Sequence, residues 1–95
     1  MAEIANDLPA TVQEAVRLLQ GLVPEDEKSR IAGMKEEDLV LLHFGLGQWI
    51  RNNLGLWQEN SALLAATGET DADDASTAII QAFWQALRDD RPRFH

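Results

Sequence analysis

The chain contains no cysteine, which excludes both a disulfide framework and a thiolate metal site. It has no long apolar run either: stretches such as Leu39 to Leu42 fall far short of the roughly 18 residues a membrane span needs. Met1 to Ala10 has neither the basic opening nor the apolar core of a secretory leader, so a cytoplasmic location is expected. The strict apolar–polar alternation of a half-buried strand is missing, and no internal repeat is visible. Positive charge is scarce. Against 16 Asp and Glu stand only 8 Lys and Arg, for a net charge of −8, which disfavours direct binding to nucleic acid or an anionic membrane.

What remains points to helices. With 95 residues and 45 % hydrophobic content, the chain is expected to form one domain spanning 1–95, with 1–9 and 91–95 flexible. A chain this short buries only about 60–65 % of the surface its unfolded form exposes, so its core must be efficient. The fold class expected is all-α: a compact bundle of about four to five helices around a central buried helix at about residues 35–54.

Thr11 and Glu14 have the spacing of a capping box, and Val12, Ala15, Val16, Leu19 and Leu22 follow the helical i, i+3, i+4 rule. Pro24 suits the first turn of a short second helix, ended by a left-handed Gly33. In the central helix, Leu39, Leu42, His43, Leu46, Trp49, Ile50 and Asn53 share one face. Val40, Phe44, Gly47 and Arg51 share a second, so this helix is expected to be covered on more than one side. Gly55 should close it with a Schellman cap and Trp57 should close one end of the core, although Trp57 is also the tryptophan best placed to be exposed. Asn60 and Gly68 bracket a short helix. Asp71 or Asp73 caps the last one, whose bulky face is Ile79, Ile80, Phe83, Trp84 and Leu87. Gly45 and Gly47 each cost about 1 kcal/mol in a helix interior. Close packing against the small residues Ala78 and Ala82 is the expected compensation.

Candidate chemistry is sparse. His43 is the sole internal histidine, without a Cys or a second internal His to join it in a metal site, so no metal, cofactor or catalytic residue is assigned. Gly45-Leu46-Gly47 lacks the preceding strand of a dinucleotide fingerprint and reads as packing. Arg51 is the residue of most interest: on a partly covered face its guanidinium needs a partner. A carboxylate of the Asp71–Asp74 segment or the carbonyls at a helix end could supply it. Alternatively, Arg51, Asn52 and Asn53 read an anionic or peptide group on a partner. The residues singled out as one constellation are His43, Arg51, Asn52, Trp57, Asp73 and Asp74. The acids at 25–27, 36–38 and 71–74 lie where helices begin, where they complement the helix dipole as well as giving the surface its sign.

The string from His43 to Gly47, followed by Ile50-Arg51-Asn52, Gly55-Leu56-Trp57 and Asp73 to Ser76, resembles a family of small bacterial proteins known as a domain of unknown function. The likeness covers roughly residues 35–87. It implies no established activity and transfers no catalytic residue, but it supports Arg51 with Asp73 and Asp74 as one group.

The function expected is that of a non-enzymatic interaction module, such as an immunity or antitoxin-like inhibitor or an adaptor. Its partner would be a protein, and a basic one if the acidic surface is what is recognised. The alternatives are a small-ligand or enzyme-type site around His43, Arg51 and Asn52, and a homodimer that pairs an exposed apolar face with itself. The chain itself would be a monomer or a homodimer.

Overall fold

Local backbone chemistry sets the first elements of the structure, a computed structural model that describes residues 8–57 and 60–90. Helix α1 (Val12–Leu22) begins where Thr11 Oγ1 accepts the Glu14 N–H at 3.0 Å. The return bond is displaced by one residue, because Glu14 Oε1 takes the N–H of Ala10 at 2.8 Å instead of that of Thr11. Ala15, Val16 and Leu19 carry the buried stripe. Helix α2 (Glu25–Ala32) follows Pro24, which caps it instead of occupying its first turn, and buries Ile31. Lys28 Nζ reaches back to the Gln20 carbonyl at 2.8 Å, satisfying an acceptor at the open end of α1. Gly33 is not left-handed: its φ is −85°. Its N–H bonds the Ser29 and Arg30 carbonyls and Met34 N–H bonds that of Ile31, so a tightened right-handed turn ends α2 and no reversal is needed.

From Glu36 to Asn53 the chain is helical but changes pitch twice. A 3₁₀ segment (Glu36–Leu42) passes into a π segment (His43–Gly47) and then into α3 (Gln48–Asn53). This corrects the expectation of one regular buried helix. The face that Val40, Phe44, Gly47 and Arg51 would share in an α-helix is divided. Gly47 and Arg51 are buried, whereas Val40, Leu41 and Phe44 are 70 %, 74 % and 81 % exposed. The physical reason is one of supply: the segment packs along one side on the last helix, α5 (Ala72–Asp90), and among the described residues no further layer covers Val40, Leu41 and Phe44. Gly55 (φ 75°) closes α3, with Leu56 N–H on the Arg51 carbonyl at 3.3 Å, the long bond of a Schellman cap.

Helix α4 (Ser61–Thr67) ends at Gly68, left-handed at φ 78°. Its N-cap Asn60 is buried and ties three parts of the chain together. Asn60 Oδ1 accepts the Leu63 N–H at 3.2 Å, and Nδ2 donates to the carbonyls of Leu54 at 3.0 Å and Pro9 at 2.6 Å. Pro9 is itself buried, so this end of the lead-in, expected to be flexible, is held. The rest of that expectation, over 1–7 and 91–95, lies outside the described residues.

Helix α5 (Ala72–Asp90) is capped by Asp71, whose Oδ1 accepts the Asp74 N–H at 2.8 Å. Ala72, Ala75, Ile79, Ile80, Phe83, Trp84 and Leu87 are all buried along it, and it packs against every other element. The centre of the fold is therefore α5 and not the 36–53 segment. A long helix with an unbroken apolar stripe can serve as the common wall for several short ones. Trp84, though buried, keeps its indole N–H satisfied by the Met34 carbonyl at 2.9 Å, and Arg88 lies over its ring at 4.8 Å.

The bundle is all-α, with no strand among the described residues and no helix long and apolar enough to cross a membrane. Its Cα radius of gyration is 12.9 Å, against about 13 Å for a compact chain of a hundred residues.

Candidate functional site

Two neighbouring features emerge from the paired 36–53 segment and α5: a buried arginine network and an uncovered apolar ridge. Arg51 is only 5 % exposed. Its Nη1 donates to Ser76 Oγ at 2.9 Å and its Nη2 to the His43 carbonyl at 3.2 Å, while Nε lies 3.4 Å from Asp73 Oδ1. Ser76 Oγ in turn donates to the Asp73 carbonyl at 2.9 Å. The Asp73 side chain is 61 % exposed, so this ion pair reaches from the core to the surface and is partly screened by water. Arg51 has the partners that burial demands: it joins the π segment to the first turns of α5.

Gly47 explains how the guanidinium fits. A Cβ there would stand 3.1 Å from Arg51 Nη1 and 3.4 Å from both Ile80 Cδ1 and the Leu42 carbonyl. The close approach expected of Gly45 and Gly47 thus belongs to Gly47 alone, and its neighbour is Ile80. Gly45 is exposed, with nothing within 4 Å of a Cβ built on it. Ala78 and Ala82 are half-buried and do not form the expected seat.

The other members of the expected constellation lie apart. Asn52 Oδ1 accepts the Trp57 indole N–H at 2.8 Å, and Trp57 is 57 % exposed. It does not close the core, because Leu54 and Leu56 fill that place. Asp74 is exposed and enters only through its backbone N–H on Asp71. His43 contributes its carbonyl to Arg51. Its half-buried ring stands edge-on to Phe44 with centroids 5.0 Å apart and makes no hydrogen bond within the described residues.

That ring lines a depression of about 220 Å³ between the 3₁₀ segment and α5, together with Glu36, Glu37, Val40, Ile80 and Gln81. Gln81 Nε2 donates to Glu36 Oε2 across it. Val40, Leu41 and Phe44 form the ridge alongside. A second, larger groove of about 390 Å³ is walled by Leu19, Leu22, Ile31, Leu46 and Trp49, with Glu27 at its edge held by Arg30. Among the described residues no cluster of three or more His, Cys, Asp or Glu is placed to hold a metal.

Sequence reasoning named Arg51 and Asp73 but passed over Ser76 as a partner and Asn60 as more than a cap. Ser76 stood in the quoted Asp73-to-Ser76 match, one turn beyond Asp73, and that spacing was the available signal. The exposed ridge had no such signal, because periodicity identifies faces without saying which one is covered.

The fold and these features define a small all-α bundle with a buried arginine pinned beside an open apolar edge. The chain belongs to the family described as a domain of unknown function (DUF6794), which matches residues 8–87. That span extends the resemblance read over roughly 35–87 back through α1 and α2. No curated protein and no solved structure matches the chain.

Proposed function

We propose that this chain is a non-enzymatic protein-interaction module, acting in the cytoplasm as an inhibitor of the immunity or antitoxin kind or as an adaptor, and that its contact surface is the ridge of Val40, Leu41 and Phe44. The exposure of these three large apolar side chains within one five-residue stretch carries the reading. Contiguous apolar patches on a small domain mark partner surfaces, and Phe44 stands on the π segment, a geometry that recurs at functional sites. Arg51 then acts as a positioning residue, fixing through the His43 carbonyl the turn that presents Phe44.

The ligand- or enzyme-type alternative needs His43, Arg51 and Asn52 in one pocket. Arg51 is buried and bonded internally, the Asn52 side chain bonds Trp57, and the His43 ring faces a different depression. That geometry favours the interaction reading.

The test uses the wild-type protein and a variant with Val40, Leu41 and Phe44 all changed to Ser as paired baits in extract of the native cell. Since all three side chains are exposed, the variant should keep the wild-type circular dichroism spectrum and unfolding midpoint. The expected result is a stoichiometric protein held by the wild type and lost by the variant. A partner retained equally by both, or no ridge-dependent partner at all, overturns the assignment.

A further inference from the structure

Resting on the ridge as the contact surface, we propose that the depression beside it is a receptor for one lysine or arginine side chain of the partner, whose neighbouring apolar residues lie on Val40 and Phe44. The observations converge from size, wall chemistry and charge. At about 220 Å³ the depression is smaller than the roughly 300–1,000 Å³ usual for small-molecule sites, which suits a single extended side chain. Its walls are of two kinds. Leu39, Val40 and Ile80 are apolar and match the methylene stem of a long cation, while Glu36 and Glu37 at the rim match its charged head. Glu36 is already oriented by Gln81, and Glu37 makes no ion pair among the described residues. Lys35, the cation next to them in sequence, is exposed and pairs with neither.

Charge also decides between occupants. A symmetric dimer built on this ridge would bring the same patch of each copy together, crowding the Glu36, Glu37 and Asp38 carboxylates of both copies into one interface. Both copies carry a net charge of −8. Like charges juxtaposed at an interface are strongly unfavourable, whereas a cationic amphipathic segment meets the ridge and its rim with complementary chemistry. An anionic lipid surface is disfavoured for the same reason.

The experiment titrates the isotope-labelled full chain with a synthetic amphipathic helix of leucine and arginine, and with its counterpart in which every arginine is glutamate. Amide shifts are followed by NMR, and affinity by fluorescence anisotropy at low and high salt. The expected result is binding of the arginine peptide alone, weakened by salt, with shifts confined to residues 36–44 and 77–81. Affinity should fall at least tenfold both in Glu36→Gln/Glu37→Gln and in Phe44→Ser. Glutamine at 36 keeps an acceptor for Gln81, and circular dichroism verifies that both variants fold.

Shifts centred on the acids at 25–27, or affinity unchanged in either variant, mean general charge attraction and overturn the proposal. So does sedimentation showing a dimer that Phe44→Ser abolishes. If the paired baits still retain a ridge-dependent partner while the arginine peptide fails, the cation pocket falls and the interaction reading stands. If the baits retain no such partner, the interaction reading itself falls.

Discussion

Arg51 and Asp73 form a pair of unequal members. Removing the arginine takes its bonds to Ser76 and the His43 carbonyl out of a covered site, and Arg51→Ala should cost about 2–4 kcal/mol in urea unfolding, as for other buried truncations. Arg51→Met loses the same bonds but preserves most of the volume, so the difference between these two variants isolates the packing, and the loss that remains in Arg51→Met reports the hydrogen bonds. Asp73 is largely in water, and Asp73→Asn should cost under about 1 kcal/mol. A larger loss for Asp73→Asn than for Arg51→Ala would contradict the structure. The two glycines upstream provide a matched comparison. Gly45→Ala meets open space and should be neutral or stabilise by up to about 1 kcal/mol. Gly47→Ala has the same propensity gain but must push Arg51 Nη1, 3.1 Å away, off Ser76. Overpacking costs about 1–3 kcal/mol, so thermal unfolding should show a net loss.

The 36–47 segment, covered on one side and built partly of 3₁₀ turns with their poorer hydrogen-bond geometry, should open locally. In native-state hydrogen exchange its amides are expected to exchange well before those of 79–87 in α5, which should be released only on global unfolding. Equal protection in both would contradict this hierarchy. The same segment separates what was legible in the sequence from what was not. Thr11 and Asn60 as caps, and Gly55 and Gly68 as stops, could be read directly, because each depends on a few adjacent backbone groups, and the last cap was narrowed to Asp71 or Asp73, of which the structure uses Asp71. The need of Arg51 for a partner near Asp73 was legible because a charge on a covered face must be neutralised. The pitch changes were not. Tight, regular and wide right-handed helices share nearly the same backbone angles, and packing on a neighbour selects among them. Nor could periodicity tell that α5, and not the more apolar 39–57 stretch, would be the common wall. Phe44 illustrates the cost of that gap: the rule that grouped it with Arg51 was sound for an α-helix, and the chain is not one there.

The whole chain carries an excess of eight negative charges, more than the ion pairs Lys28–Glu25, Arg30–Glu27 and Arg51–Asp73 can neutralise. Such a surface repels itself. Raising ionic strength from a few millimolar to about 0.1 M, where the screening length is about 10 Å, should therefore raise the melting temperature, even as it weakens any cationic partner. A falling melting temperature over that range would mean that the surface pairs dominate the repulsion. Opposite salt responses of stability and binding are what the proposed cationic partner predicts.

The wide turn at His43–Gly47 has a consequence for insertions and deletions. A π turn holds one residue more than an α turn, because its bonds run to i+5 and not i+4. Elsewhere in a helix, losing one residue swings everything downstream by roughly 100°, since 3.6 residues make a turn, and would carry Ile50 out of the core. Excising Gly45, which has open space where a side chain would stand, should instead let the wide turn shrink to a regular one and leave Ile50, Arg51 and Leu54 facing α5. That shortened chain is expected to fold with the near-ultraviolet signal of the buried Trp84 intact, whereas loss of Ile50 or Leu42 should abolish that signal. In this protein the backbone holds a spare residue, and the spare lies directly beside the apolar edge.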